Sequence, residues 1–293
     1  SSNFGSRPLQ VNAGAVRRRS PHGAMASADK HNEVYKTSSH PELVAEIEKD
    51  LAGHTTQGSH GVNYHHPPVG GEGMTFFMPN KSLLGEGALK GAVNQIKALD
   101  LTKALIVTDA ILVKVGAVNA LTSVLEHAGL TFCIYSGCQP NPTRAQVDEG
   151  VKLAKDNSCD MIISFGGGSP HDCAKAIGML CTNGGDCRDY EGIDKSTKPM
   201  LPLVTVNTTA GTAAEMTRFC IITDEERHVK MAIVDWRLTP TMAVNDPKLM
   251  VGMPKGLTAA TGMDALTHCI EAYVSTASNP VTDANALQGI KLI

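Results

Sequence analysis

No apolar run in this chain reaches the roughly 18 residues that a membrane-spanning helix needs, so no helical span is expected. None of its eight cysteines (133, 138, 159, 173, 181, 187, 220 and 269) forms a C-x-x-C pair. In a chain of 293 residues this excludes a zinc ribbon and reads as reduced thiols rather than a disulfide framework. A strong charge of either sign is also lacking. The net charge of -3 gives no electrostatic case for nucleic acid or an anionic membrane surface. Residues 1–27 contain no acidic residue, but do contain Arg7, Arg17, Arg18 and Arg19 among serines and glycines. Two readings stand for them: a mitochondrial transit peptide, or a leader upstream of a start at Met25.

The length and the 42% hydrophobic content suffice for two domains of ordinary size. Residues 1–72 read as a polar N-terminal extension. Its histidines (31, 40, 54, 60, 65 and 66) lack helical or hairpin spacing and belong to a solvated arm, with one short amphipathic helix expected at 41–51. From residue 73 the pattern alternates. Strand-length apolar runs at 75–78, 104–108, 131–135, 161–165, 203–206 and 219–222 are interleaved with helix-period segments at 83–99, 110–128, 143–157 and 171–180. Near-continuous Val/Ile/Leu strands between helices predict an α/β fold, doubly wound around a mostly parallel sheet, over 73–246. Past Asp246 the strand signal stops, and helices at about 255–275 and 279–293 predict the beginning of an all-helical domain over 247–293.

The strongest motif is Ser164-Phe165-Gly166-Gly167-Gly168-Ser169-Pro170-His171-Asp172, which follows a buried strand and opens a helix. Glycines let backbone amides approach an anion, and the helix N-terminus adds partial positive charge, so a pyrophosphate fits; a tight turn that needs glycine is the plainer alternative. The G-x-G-x-x-G fingerprint is absent. Asn207-Thr208-Thr209-Ala210-Gly211-Thr212 ends another strand, and Asp109 ends a third, where a carboxylate can accept from ribose hydroxyls and repel a 2′-phosphate. Together the three favour NAD over NADP. Further on, Asp264 and His268 stand i, i+4 on one helix face, within reach of one ion or simply an ordinary helix pair. Two donors are fewer than the three or four that hold a catalytic transition metal. The stripe Leu257, Ala260, Met263, Leu266, Thr267 and Ile270 reads as core packing. His171 and Asp172 read as a helix cap or neighbours of the cofactor.

With these stretches in place, the chain resembles the iron-containing (group III) metal-dependent alcohol dehydrogenases. The matching segments include 105–109, 139–143, Gly166 to Lys175, 207–212, 222–226 and Ala259 to His268, in the family's order. The resemblance implies an active site in the cleft between a dinucleotide-binding and a helical domain. It carries Asp109 over as an adenosine-ribose contact, Gly167, Gly168 and Ser169 as pyrophosphate contacts, and Asn141, Thr208, Thr209 and Lys230 as further cofactor contacts. Asp264 and His268 match the first two of four metal ligands, the other two being downstream histidines. No histidine follows His268, so the chain is expected to be a C-terminally truncated fragment, or a shortened form whose last helix a partner chain covers. The implied cofactors are NAD and Fe(II), or Zn(II). The implied reaction interconverts short-chain alcohols and aldehydes by hydride transfer, in a homo-oligomer. The alternative is a catalytically incompetent structural or assembly subunit.

Overall fold

The computed structural model describes residues 75–293. The Arg-rich segment, the histidine-rich arm and the expected helix at 41–51 lie outside the described residues.

Six parallel strands form one sheet in the order β1-β9-β6-β4-β2-β3: β1 Lys81–Leu84, β2 Lys103–Asp109, β3 Thr131–Cys138, β4 Met161–Gly166, β6 Leu203–Asn207 and β9 Met242–Asn245. A smaller sheet pairs β5 (Gly192–Ile193) in parallel with β8 (Val229–Val234), and β8 antiparallel with β7 (Phe219–Asp224). The connecting helices are α1 Ala88–Lys97, α2 Ala110–Lys114, α3 Asn119–His127, α4 Arg144–Asp156 and α5 Gly168–Asn183. Two more, α6 Lys255–Val274 and α7 Pro280–Leu292, end the chain.

The period-2 alternation of each strand feeds two cores. Leu105 and Val107 of β2 face one side with Ile162 and Leu203, under Val147 of α4 and Ile177 of α5. Ala104 and Ile106 face the other with Phe165 and Val206, under Leu89 and Ile96 of α1 and Leu121 of α3. A parallel sheet must be covered on both faces, and this one is. On the first face the helices lie very close: a Cβ on Gly150 of α4 would come within 2.2 Å of Ile177 Cδ1, so that crossing requires a hydrogen there.

The sheet order also creates a switch point. From β2 the chain moves outward to β3, then returns to place β4 on the other side of β2. The carboxyl ends of β2 and β4 therefore diverge around a crevice, where ligands bind in open α/β sheets.

Several expectations need correction. Residues 75–78 are not a strand; the first strand is β1, whose last two residues, Leu83 and Leu84, were expected to begin the helix at 83–99. The expected helix at 110–128 is two helices, broken at Gly116, whose φ of 75° leaves the right-handed helical region. Strands β8 and β9 were absent from the apolar-run reading. Met263 is 60% exposed, and Leu257 and Ile270 are also exposed, so the α6 stripe is not core among the described residues. Instead α6 packs on α7, with Cys269 Sγ 2.5 Å from where a Cβ on Gly289 would lie.

Candidate active site

Three segments lie at the carboxyl ends of β2, β4 and β6: Asp109, the glycine loop and the threonine turn. Gly166 ends β4 with φ 152°, a region L-residues rarely adopt, and its carbonyl accepts from Thr208 N at 2.9 Å. A Cβ on Gly167 would meet Thr209 Oγ1 at 2.9 Å, and one on Gly168 would meet Thr212 Oγ1 at 2.8 Å. The glycines thus serve the approach of the threonine turn as much as any ligand. Gly167 is the N-cap of α5, no side chain caps it, and the first turn carries no acidic residue. The leading amides, Gly168 and Ser169 among them, have no side-chain acceptor, which is the condition an anion site at a helix N-terminus requires.

Asp109 Oδ1 accepts from Leu112 N at 2.8 Å and caps α2. Its other oxygen makes no hydrogen bond among the described residues.

Beneath the threonine turn lies a buried polar layer that sequence reading missed. Asn207 Oδ1 accepts from Thr209 N at 3.2 Å while its Nδ2 donates to Asn245 Oδ1 at 3.0 Å. Glu215 is buried, which pushes its carboxyl up, and its Oε2 has no partner among the described residues. His171 neither caps α5 nor faces solvent; it is fully buried with Nδ1 2.7 Å from Ser164 Oγ. Burial, aided by the nearby Lys175 charge, pushes its imidazole down to about 3, so it is neutral. Burial pushes Asp172 up to about 6.

These two shifts give opposite pH signatures. Unfolded, His171 takes a proton near pH 6.5, so its contribution is whole above that pH and is lost as pH falls towards 3. Asp172 favours the fold most below its unfolded value, and that contribution is lost as pH rises towards 6. His171→Asn is therefore expected to flatten the acid fall in stability, and Asp172→Asn to steepen it. Urea midpoints measured from pH 3 to 7 check both signs.

Lys175 is also fully buried. Its Nζ donates to the carbonyls of Ala214 (2.7 Å), Thr217 (2.8 Å) and Phe219 (2.7 Å) and to Thr217 Oγ1 (3.3 Å). That fastens the segment from the threonine turn into β7 onto α5. A lysine in an apolar helix face reads from sequence as a surface residue, and nothing in its spacing signals otherwise.

Asn141 and Lys230 belong to a second cluster. Asn141 sits in the β3–α4 loop at φ 57°, and its carbonyl accepts from Thr223 Oγ1 at 3.3 Å. Thr223 is the cross-strand partner of Lys230. Beside them Asp224, with no exposed side chain, accepts from Arg188 Nη2 at 2.7 Å and also binds Arg227, with Arg144 Nη1 at 3.5 Å. The guanidinium of Arg188 holds its carboxyl far below the usual carboxylate range. This ion network ties the β3–α4 loop to the small sheet.

The metal pair lies on α6. Asp264 Oδ1 and His268 Nε2 are 3.9 Å apart, 41% and 49% exposed. Two donors each ~2.0–2.2 Å from one tetrahedral ion stand about 3.3–3.6 Å apart, so a side-chain adjustment of a few tenths of an ångström would bring the pair onto a shared ion. Among the described residues no group of three metal-binding side chains exists. The helix that carries the pair meets the threonine turn at Gly211, where a Cβ would come within 2.9 Å of Thr261 Cβ, one helical turn before Asp264.

Cys138 and Cys187 are buried, and burial pushes Cys187 up to about 12. His228 is exposed in the turn between β7 and β8.

Comparison with known proteins agrees with the architecture. The chain is 55% identical over 218 residues to alcohol dehydrogenase 4 of Schizosaccharomyces pombe, covering 74% of this chain and 52% of that protein. It is 49% identical to the NAD-dependent methanol dehydrogenase of Bacillus methanolicus, over 74% of this chain and 57% of that one. The crystal structure of a 1,3-propanediol oxidoreductase superposes with a TM-score of 0.72 at 47% identity, over 74% and 57% of the two chains. The chain thus spans about half the length of the curated relatives it matches. The profile of iron-containing alcohol dehydrogenases matches residues 79–247, and that of the Fe-containing alcohol dehydrogenase C-terminal region matches residues 258–293. The chain belongs to the iron-containing alcohol dehydrogenase family.

Proposed function

We propose that this chain carries the cofactor-binding half and the first two metal donors of an NAD-dependent, metal-dependent alcohol dehydrogenase that interconverts short-chain alcohols and aldehydes. The observation that carries the reading is the meeting of the uncapped α5 N-terminus, the Thr208–Thr209 turn and Asp109 at one switch point, joined to Asp264 and His268 by the Gly211–Thr261 contact. In this reading residues 73–246 form the dinucleotide-binding domain and 247–293 begin the metal-binding one. The relatives' names support it, since they include an NAD-dependent methanol dehydrogenase and a 1,3-propanediol dehydrogenase.

The residues divide the work. Gly167, Gly168 and Ser169 offer amides to the pyrophosphate, while Thr208 and Thr209 offer hydroxyls. Asp109 accepts from the adenosine ribose. Asn141 and Lys230, braced by the Asp224 network, contact the cofactor from the other side. Asp264 and His268 would hold Fe(II) or Zn(II), which would supply a Lewis acid to the alcohol oxygen, and the bound nicotinamide would be the hydride acceptor. The Arg-rich, acid-free first residues support mitochondrial targeting, tested by following a fluorescent fusion of residues 1–27. A homo-oligomer is part of the reading; sedimentation of the native protein tests it.

NADH fluorescence titration combined with turnover of ethanol or propanediol in the whole protein tests the reading. Saturable NADH binding with metal-dependent turnover is expected. Binding of neither cofactor would end it. A finer test uses Asp109→Asn. Asparagine keeps the α2 cap but removes the charge. The ratio of kcat/KM for NADP over NAD is expected to rise by roughly tenfold or more, the value of one charge-assisted hydrogen bond.

A further inference from the structure

We propose that Cys133 and Cys159 are an oxidant-sensitive pair that forms an intramolecular disulfide on exposure to peroxide. Their Sγ atoms lie 3.5 Å apart, and both residues are partly exposed.

Neither thiol sets this distance. Cys133 is fixed by the register of β3 on β2, opposite Leu105. Cys159 is fixed in the α4–β4 turn, where its amide donates to Ala154 O at 2.9 Å. The next residue, Asp160, accepts from Thr102 N at 2.8 Å and Lys103 N at 2.9 Å, which clamps that turn to the start of the same strand β2. Two backbone segments anchored to one strand therefore hold the sulfurs in contact. A disulfide, with S–S near ~2.05 Å, needs a closure of only ~1.5 Å, within reach of small side-chain rotations. Cys138 and Cys173, also neighbours, are 3% and 0% exposed, so a dissolved oxidant reaches the Cys133–Cys159 pair first.

Burial and the adjacent thiol push Cys159 up to about 12 and disfavour its thiolate, so the first nucleophile is supplied by Cys133. Its sulfur attacks the peroxide O–O bond, which breaks to give a sulfenic acid and one water. The Cys159 sulfur then attacks the sulfenic sulfur, gives up its proton and displaces hydroxide, which leaves as the second water. Two thiols lose two electrons and two protons, and one peroxide becomes two waters. The product cross-links the outermost strand of the sheet to the turn before β4. Both residues lie towards the amino ends of the parallel strands, opposite the crevice.

Intact-mass analysis of the peroxide-treated chain under non-reducing conditions tests this. A loss of two hydrogens, reversed by dithiothreitol, is expected, with two fewer alkylatable thiols than the eight of the reduced chain. Peptide mapping of the unsubstituted protein should join the peptides bearing Cys133 and Cys159. Cys133→Ser and Cys159→Ser should each abolish the mass loss. Oxygen added at either residue without a joined peptide, or a cross-link mapped to another pair, overturns the proposal.

Discussion

Lys175→Met is expected to destabilise the fold by about 3–5 kcal/mol and to abolish tight NAD binding with it. Three carbonyls and one hydroxyl share its Nζ, all within 3.3 Å, and the methionine can donate to none of them. Each buried carbonyl left without a donor costs about 1–3 kcal/mol, and partial entry of water keeps the total below the simple sum. Burial lowers the ammonium's pKa, while the neighbouring Asp172 charge opposes that shift, so the site is built for a cation. The segment it fastens begins at Ala214, two residues after the turn whose Thr209 and Thr212 touch Gly167 and Gly168. Loosening it frees the turn. Urea denaturation gives the stability change and NADH fluorescence the binding change. Lys90→Met, at an exposed position on α1, is the control and should stay within about 0.5 kcal/mol. A Lys175→Met protein as stable as that control would show that the bonds contribute nothing.

The second large effect concerns chemistry rather than folding. His268→Ala in the whole protein is expected to lower kcat/KM for the alcohol roughly 1000-fold, because a Lewis acid contributes several kcal/mol of transition-state charge stabilisation. Asp264→Asn should act in the same direction. Both side chains are half-exposed on a helix with no buried residue, so the unfolding midpoint should not move. NADH binding should also persist, since the glycine cradle lies on α5. Elemental analysis should show loss of the bound metal in parallel. Full turnover in a metal-free His268→Ala protein would remove these two residues from the catalytic machinery.

The parts of the fold legible from sequence were those with a single physical cause. Strands β2, β4 and β6 are buried on both faces, so their runs are nearly all apolar, broken only by small polar residues such as Ser164 and Thr205. Strand β1 (Lys-Ser-Leu-Leu) is a half-polar edge strand whose pattern resembles a helix start. Strand β9 has only four residues, and its burial comes from pairing with β6 and β1 rather than from length. For the site, Asp109, the glycines and the threonines stood out because strand ends concentrate ligand contacts. Lys175, Asp224 and Glu215 did not, since a buried charge is defined largely by partners distant in sequence, as Lys175 is 39 residues from Ala214 and Arg144 is 80 from Asp224. The exposed α6 stripe shows the limit of periodicity: it marks an apolar face without saying what lies against it.

The two oxygens of Asp109 bear on how cofactor preference can evolve. One holds the amide of Leu112 at the start of a five-residue helix, and the other makes no hydrogen bond among the described residues. Replacements with glycine or alanine, which best make room for a phosphate, remove the helix cap in the same step. The mutational route to NADP therefore passes through asparagine or serine, which still cap, before any arginine is recruited nearby. A selection for altered cofactor use should recover those two substitutions first, and the small apolar ones only in backgrounds where the short helix has been reinforced.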